Sequence, residues 1–296
     1  LKTERIDTFG GHRGAIFSLA KGPESHVFFS AGSDGWVVQW NLQKPDLGKV
    51  VAQIDGSIYS MEYDVQTDIL WVGQNFEGVH GILISDQSRI FSIQLPQLAI
   101  YSMEIVDGHV WLGHQDGMIT VIDQKAQAIK KRIKSGESNV RCFCQLPKGD
   151  MAVGSSDGYI RIYSADFLLK NAWLAHEKTI FSIIYSESTE SLVSVGRDAH
   201  LRKWNLEGKA LQLGVPAHIY AINTLVQSPD AQYLATGSMD KTIKIWDVET
   251  LKLLKVLDFA RYGGHKNSIN RLIWTSYQDF LVSGSDDKNI SVWKID

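Results

Sequence analysis

Cysteine, proline, basic excess and long apolar runs are all scarce in this sequence. The two cysteines, Cys142 and Cys144, are too few for a disulfide framework and fit a reducing compartment. Six prolines in 296 residues argue against a loop-rich or disordered chain. Lys and Arg number 30 against 33 Asp and Glu, a net charge of −3. The basic stripe of a dedicated nucleic-acid binder is therefore missing, and no nucleic-acid partner is expected. No run approaches the roughly 18 consecutive apolar residues of a membrane helix, and the first residues carry no basic-then-apolar signal pattern. A cytoplasmic protein without a membrane partner is the expectation. The start at Leu1 in place of Met leaves room for a trimmed targeting segment.

Tryptophan is abundant by contrast, with nine copies, which favours many β-strands. The length suggests two domains or one large unit, and internal repetition decides between them. The segments 29–41, 193–205, 234–247 and 281–294 match one another. In each, an Asp precedes a Trp by six residues: Asp34 and Trp40, Asp198 and Trp204, Asp240 and Trp246, Asp287 and Trp293. Four residues before each Asp stands a hydroxyl, Ser30, Ser194, Thr236 or Ser283. Twenty-two residues before each Asp stands a histidine, His12, His176, His218 or His265.

Four residues after each of these histidines a β-branched residue opens a short strand. The full set is Ile16, Ile58, Ile100, Val140, Ile180, Ile222 and Ile269, spaced by 42, 42, 40, 40, 42 and 47. That is seven repeats, at about 10–54, 55–95, 96–134, 135–175, 176–214, 215–258 and 259–296. Repeats two to four are degenerate. Repeat three keeps Asp116 with Ile122 in the Trp place, and repeat four keeps Asp157 with Tyr163. Repeat two is irregular over 75–81, the weakest point of the alignment.

On these residues the sequence resembles the WD-repeat β-propeller family across essentially the whole chain. The carriers are Gly11-His12, Ala175-His176, Ala217-His218 and Gly264-His265, with the endings Trp40-Asn41, Trp204-Asn205, Trp246-Asp247 and Trp293-Lys294. The resemblance implies an all-β protein: one seven-bladed propeller with four antiparallel strands per blade. Alternating or short apolar runs bounded by Gly, Asp and Ser agree with that reading, and no convincing amphipathic helix is present. The last repeat stops three residues past Trp293, with no room for an outer strand. Residues 1–9 should therefore supply it and close the ring.

A single His–Ser–Asp set would suggest a hydrolase triad or a metal site, but four copies in one register read as a structural network. The resemblance implies that the turn Asp accepts from His, which bonds the hydroxyl, which meets the Trp indole. Cys142 and Cys144 face one way on a strand, and a zinc ion would need two further ligands that no spacing supplies. No catalytic residue, metal or cofactor is expected. Lys130, Lys131, Arg132 and Lys134 fall where blade three should place its outermost strand, keeping that edge soluble or offering a small anionic site.

The positions just after the β-branched residue are Phe17, Tyr59, Tyr101, Arg141, Phe181, Asn223 and Asn270. The resemblance puts them at the narrow mouth of the central channel, with Ser33, Gln115, Ser156, Arg197, Met239 and Asp286 before the turn aspartates on the same face. Aromatics and arginines around a concave mouth have the composition of an interaction hot spot. The expectation is a non-enzymatic scaffold that binds a protein or peptide at this mouth, as a monomeric propeller within a complex. Its anchor should lie over Phe17, Tyr59, Tyr101 and Phe181. One alternative is a structural module that binds through the blade sides. Another is a propeller enzyme or small-ligand sensor, which needs inward-facing acids or His in the channel, where the mouth positions supply only Asp286.

Overall fold

The turn aspartates do what their short acceptor side chains allow. In six repeats the Asp carboxylate takes a hydrogen bond from the backbone N–H two residues on, as from Trp36, Met118, Tyr159, His200, Thr242 and Asn289. The residue between them must be left-handed. It is Gly35, Gly117 and Gly158 in three turns, and Ala199, Lys241 and Lys288 at φ of 61°, 71° and 70° in the others. Each turn joins the two middle strands of a four-stranded antiparallel sheet.

The computed structural model describes residues 1–45, 47–206 and 210–296. The parts of repeats one and five at 46 and 207–209 lie outside the described residues. Seven sheets of four strands follow one another around a ring. From the inside out, blade one is Ile16–Lys21, Val27–Gly32, Trp36–Asn41 and Lys49–Gln53. Blade two is Ile58–Asp64, Ile69–Gln74, Gly78–Leu83 and Ser88–Gln94, and blade three is Ile100–Val106, His109–His114, Met118–Asp123 and Ala128–Lys134. Blade four is Val140–Gln145, Met151–Ser155, Tyr159–Tyr163 and Leu169–Leu174. Blade five is Ile180–Ser186, Ser191–Gly196, His200–Asn205 and Ala210–Pro216, and blade six is Ile222–Gln227, Tyr233–Ser238, Ile243–Asp247 and Leu253–Leu257. Blade seven is Ile269–Trp274, Leu281–Ser285, Ile290–Ile295 and, from the other end of the chain, Thr3–Phe9.

The ring therefore closes as the sequence implied, with Thr3 opposite Ile295 and Phe9 opposite Ile290. Backbone bonds between Lys2 and Asp296, at 2.8 and 2.9 Å, extend the pairing to the last residue. The wider 47-residue step before blade seven holds a one-turn helix, Phe259–Tyr262, capped by the Asp258 side chain on the Arg261 N–H. Among the described residues the core is divided into apolar clusters between neighbouring blades. In the seam of blades one and seven, Phe9 stacks on Phe28 and Trp40 with centroids 6.1 and 5.5 Å apart.

Candidate functional site

The connection before each inner strand and the turn between the two middle strands lie on one face, because the tetrad joins them. In blade one, His12 Nδ1 donates to Asp34 at 2.9 Å, Ser30 Oγ donates to His12 Nε2 at 2.6 Å, and Trp40 Nε1 donates to Ser30 Oγ at 2.7 Å. His176, Ser194, Asp198 and Trp204 repeat this in blade five, His218, Thr236, Asp240 and Trp246 in blade six, and His265, Ser283, Asp287 and Trp293 in blade seven. The four hydroxyls have no exposed surface and already receive the indole N–H, so none is free to act as a nucleophile. Burial raises the Asp287 carboxyl, but bonds from His265, Lys266 N and Asn289 N outweigh it and hold the group at about 2. Burial lowers His176 and His218 against the pull of their aspartates, which keeps both neutral near pH 7.

The degenerate blades substitute other networks. In blade two, His80 bonds Gln74 and, at 2.7 Å, Ser92, while Gln74 Nε2 donates to the Asp55 carbonyl. In blade three, His114 bonds Thr120 at 2.9 Å, and burial pushes its imidazole down to about 4. In blade four, which lacks the His, the Tyr163 hydroxyl donates to Ser135 Oγ at 3.0 Å, while Arg161 pairs with Asp157 at 2.6 Å. Burial pushes the Cys142 thiol up to about 12 and raises Cys144 as well, so neither is a thiolate near neutral pH.

All seven mouth positions are β-bulges. The register between the first two strands shifts across Phe17, Tyr59, Tyr101, Arg141, Phe181, Asn223 and Asn270 alike. A bulge turns its side chain out of the pleat, here toward the next blade. Phe17 meets Tyr59 at 4.9 Å between centroids, and Tyr59 meets Tyr101 at 5.6 Å. The Arg141 guanidinium lies 4.1 Å from the Tyr101 centroid and 5.1 Å from that of Phe181. Asn223 Nδ2 donates to the Ile269 carbonyl at 2.9 Å, and Asn270 Nδ2 to Ile16 O at 2.9 Å and Asp286 at 2.7 Å. Six of the seven seams are thus clipped by one residue per blade. No ring contact or hydrogen bond joins Phe181 to Asn223. All four mouth aromatics are half-buried, each against a neighbouring bulge residue.

A cavity of about 680 Å³ runs down the ring axis. Of the thirteen predicted mouth residues only Tyr59, Tyr101 and Arg141 line it, and its other end reaches the exposed Gln145, Glu187 and Pro229. Inside it stand Glu62 and Glu104, two acids deeper than the mouth positions, which supplied only Asp286. Both are two residues beyond the channel-facing Ser60 and Ser102, a period that the repeated Ile-Tyr-Ser-Met-Glu already displayed. Burial raises both carboxyls well above the ordinary range. Arg271 and Lys21 pull Glu62 back, whereas repulsion from Glu62 adds to the rise of Glu104 before Arg271 opposes it.

Carboxyls raised in the folded state contribute their full stability below the ordinary value of 4.5 and lose it as pH rises through the raised values. Glu104→Gln is therefore expected to raise the melting temperature at about pH 8.5 by about 2–4 °C, an effect of about 1 kcal/mol, and to change nothing at about pH 4.5. Thermal melts across that range check it, and an equal shift at both ends would refute a protonation origin.

On the tetrad face exposed apolar side chains gather over blade six, while Phe76, 57% exposed, stands in the matching turn of blade two. Ile219 is 79% exposed, Tyr220 62% and Met239 51%. Their backbone is fixed: Met239 N donates to Ala221 O at 2.9 Å, Ser238 Oγ bonds Tyr220 O, and Ile219 N reaches Asp240. Ile219 and Tyr220 were not singled out from the sequence, though a signal existed. The same two places after the tetrad His hold Arg13-Gly14, Glu177-Lys178 and Lys266-Asn267 in the other three repeats. Arg197 is exposed on the neighbouring turn of blade five. On the blade sides, Lys130 bonds His109 and Lys134 pairs with Glu137 at 3.0 Å. The outer strand of blade five carries no charge and exposes Leu211 and Leu213.

A family model described as WD domain, G-beta repeat matches residues 3–41, 129–164, 210–247 and 254–294, just over half of the chain. The chain is 29% identical over 257 residues to WD repeat-containing protein 90 of Mus musculus and 23% over 281 residues to striatin of Homo sapiens. It is 22% identical over 271 residues to the 66 kDa stress protein of Physarum polycephalum. These matches cover 74%, 83% and 87% of this chain but 14%, 35% and 43% of the relatives, so the chain spans less than half the length of each. The WD40 β-propeller domain of Doa1 superposes with a TM-score of 0.88 at 16% identity, covering 99% of this chain and 97% of that one. With its family match, its tetrads and its seven four-stranded blades, the chain belongs to the WD-repeat family.

Proposed function

We propose that the protein is a non-enzymatic scaffold that holds a protein or peptide partner on the tetrad face, with the partner's anchor over blade six. The observation that carries this reading is the exposed Ile219, Tyr220 and Met239 cluster on a backbone held by hydrogen bonds. Apolar side chains on a rigid loop lose little entropy when covered, which suits an anchor contact. The relatives named for WD repeats support the reading at the level of a family of propellers, and the partner's identity is left to experiment. Tyr101→Ala removes a seam clip and so acts on stability. Tyr220→Ala and Met239→Ala are expected to weaken a partner captured from lysate at least about tenfold each. Quantitative mass spectrometry of what the three variants and the parent retain is the test. Equal retention by parent and blade-six variants would end the assignment.

A second reading is favoured by one observation on the blade sides. The outer strand Ala210–Pro216 presents free backbone groups and two exposed leucines without a single charged residue. A structural module docked there would lose its assembly on Leu213→Lys while the blade-six variants kept it.

A further inference from the structure

We propose that Arg141 is the receptor for a carboxylate carried by an acidic side chain of the docked partner segment. The inference rests on the reading that a partner covers this face. Arg141 is the bulge residue of blade four, and its guanidinium is held between the rings of Tyr101 and Phe181, 4.1 and 5.1 Å from their centroids. The two rings engage the cation through their π-faces and accept none of its N–H groups in conventional hydrogen bonds, so those groups still need acceptors. They find none. The Nε is buried without a partner, and among the described residues no carboxylate, carbonyl or hydroxyl accepts from this side chain.

The contrast with two other half-buried arginines is direct. Arg161 and Arg202 each hold an aspartate four residues earlier, Asp157 and Asp198, at 2.6 Å. The residue four before Arg141 is Glu137, and it pairs with Lys134 instead. A half-buried cation without a counter-charge, its Nε unpartnered, carries a cost in the free protein that an arriving anion relieves. The slot between the two rings would suit a partner's cation, but the protein's own cation fills it, so the complementary charge is negative. One guanidinium held between two rings matches the two oxygens of a monoanionic carboxylate. Arg141 also lines the axial cavity beside Tyr59 and Tyr101, which gives an incoming side chain room.

The test is a selection of random heptapeptides displayed on phage against the immobilised protein, followed by synthesis of the winners. The proposal expects Asp or Glu at a fixed position, and binding weakened at least about tenfold by Arg141→Gln but less by Arg141→Lys. Changing that acid to its amide in the peptide should cost as much on the parent protein and nothing further on Arg141→Gln. The peptide change keeps the question open to refutation even where the variant protein folds poorly. Peptides lost on Tyr220→Ala but indifferent to Arg141→Gln overturn the carboxylate receptor and leave the docking face standing. Peptides indifferent to both, or a selection without winners, overturn both. Tighter binding when phosphoserine replaces the acid assigns Arg141 to phosphate and overturns the proposal.

Discussion

Phe9→Ala is expected to destabilise the protein by about 3–5 kcal/mol, and removal of residues 1–9 to yield a protein that no longer stays monomeric. Phe9 is 1% exposed and stacks on two rings of blade one, although its strand belongs to blade seven. Its loss empties the seam that the two ends of the chain share. Deleting the whole strand also strips the backbone partners of 290–295, leaving a row of unpaired groups for other chains. Urea melts of the point variant and size-exclusion chromatography of the truncation are the measurements. An unchanged melt and a monomeric truncation together would mean that closure is dispensable.

Asp240→Asn should cost about 2 kcal/mol or more at neutral pH. The carboxylate accepts from His218 at 2.8 Å, from Thr242 Oγ1 at 2.6 Å and from Thr242 N at 3.0 Å, and an amide cannot accept with both ends. Burial raises Asp240, but His218 and Thr242 outweigh it and hold the group far below the ordinary carboxylate range. A carboxyl lowered in the folded state gives its stability above the ordinary value of 3.8 and loses it as pH falls toward the folded value. His218, lowered from 6.5 by burial, also loses stability as pH falls. The gap between parent and variant should thus be widest near pH 7 and shrink below about pH 4. A gap of constant size down to about pH 3 would show that the charge is not its source.

The tetrad register was readable because its spacings are hairpin lengths. Six residues from Asp to Trp and four back to the hydroxyl are fixed by two short antiparallel strands and a tight turn, so sequence distance translates directly into contact. Closure was readable for a similar reason, since a final blade lacking a strand must borrow one. The roles of the mouth residues were not readable. Phe17 and Tyr59 lie 42 positions apart, and whether they stack or stand open depends on a bulge that no residue type announces. The same slot holds Asn223 and Asn270, placed at the mouth by the resemblance and found bonding the carbonyls of Ile269 and Ile16. Glu62 and Glu104 were legible in principle from the two-residue period, as were Ile219 and Tyr220 from their departure from the sibling repeats.

Pairing Thr3 with Ile295 also sets a timetable for synthesis. The strand Thr3–Phe9 is made before every other strand of the ring, yet its partner is among the last residues of blade seven to be made. At about 5–20 residues per second it waits on the order of 15 to 60 seconds as a lone β-strand, while the other blades assemble beside it. Its sequence suits that interval. Glu4, Arg5 and Asp7 place charge of both signs along a strand that would otherwise offer Ile6 and Phe9 to any passing edge. Charge there keeps the nascent segment in solution, and the ring becomes one cooperative body only when the final strand arrives to meet it.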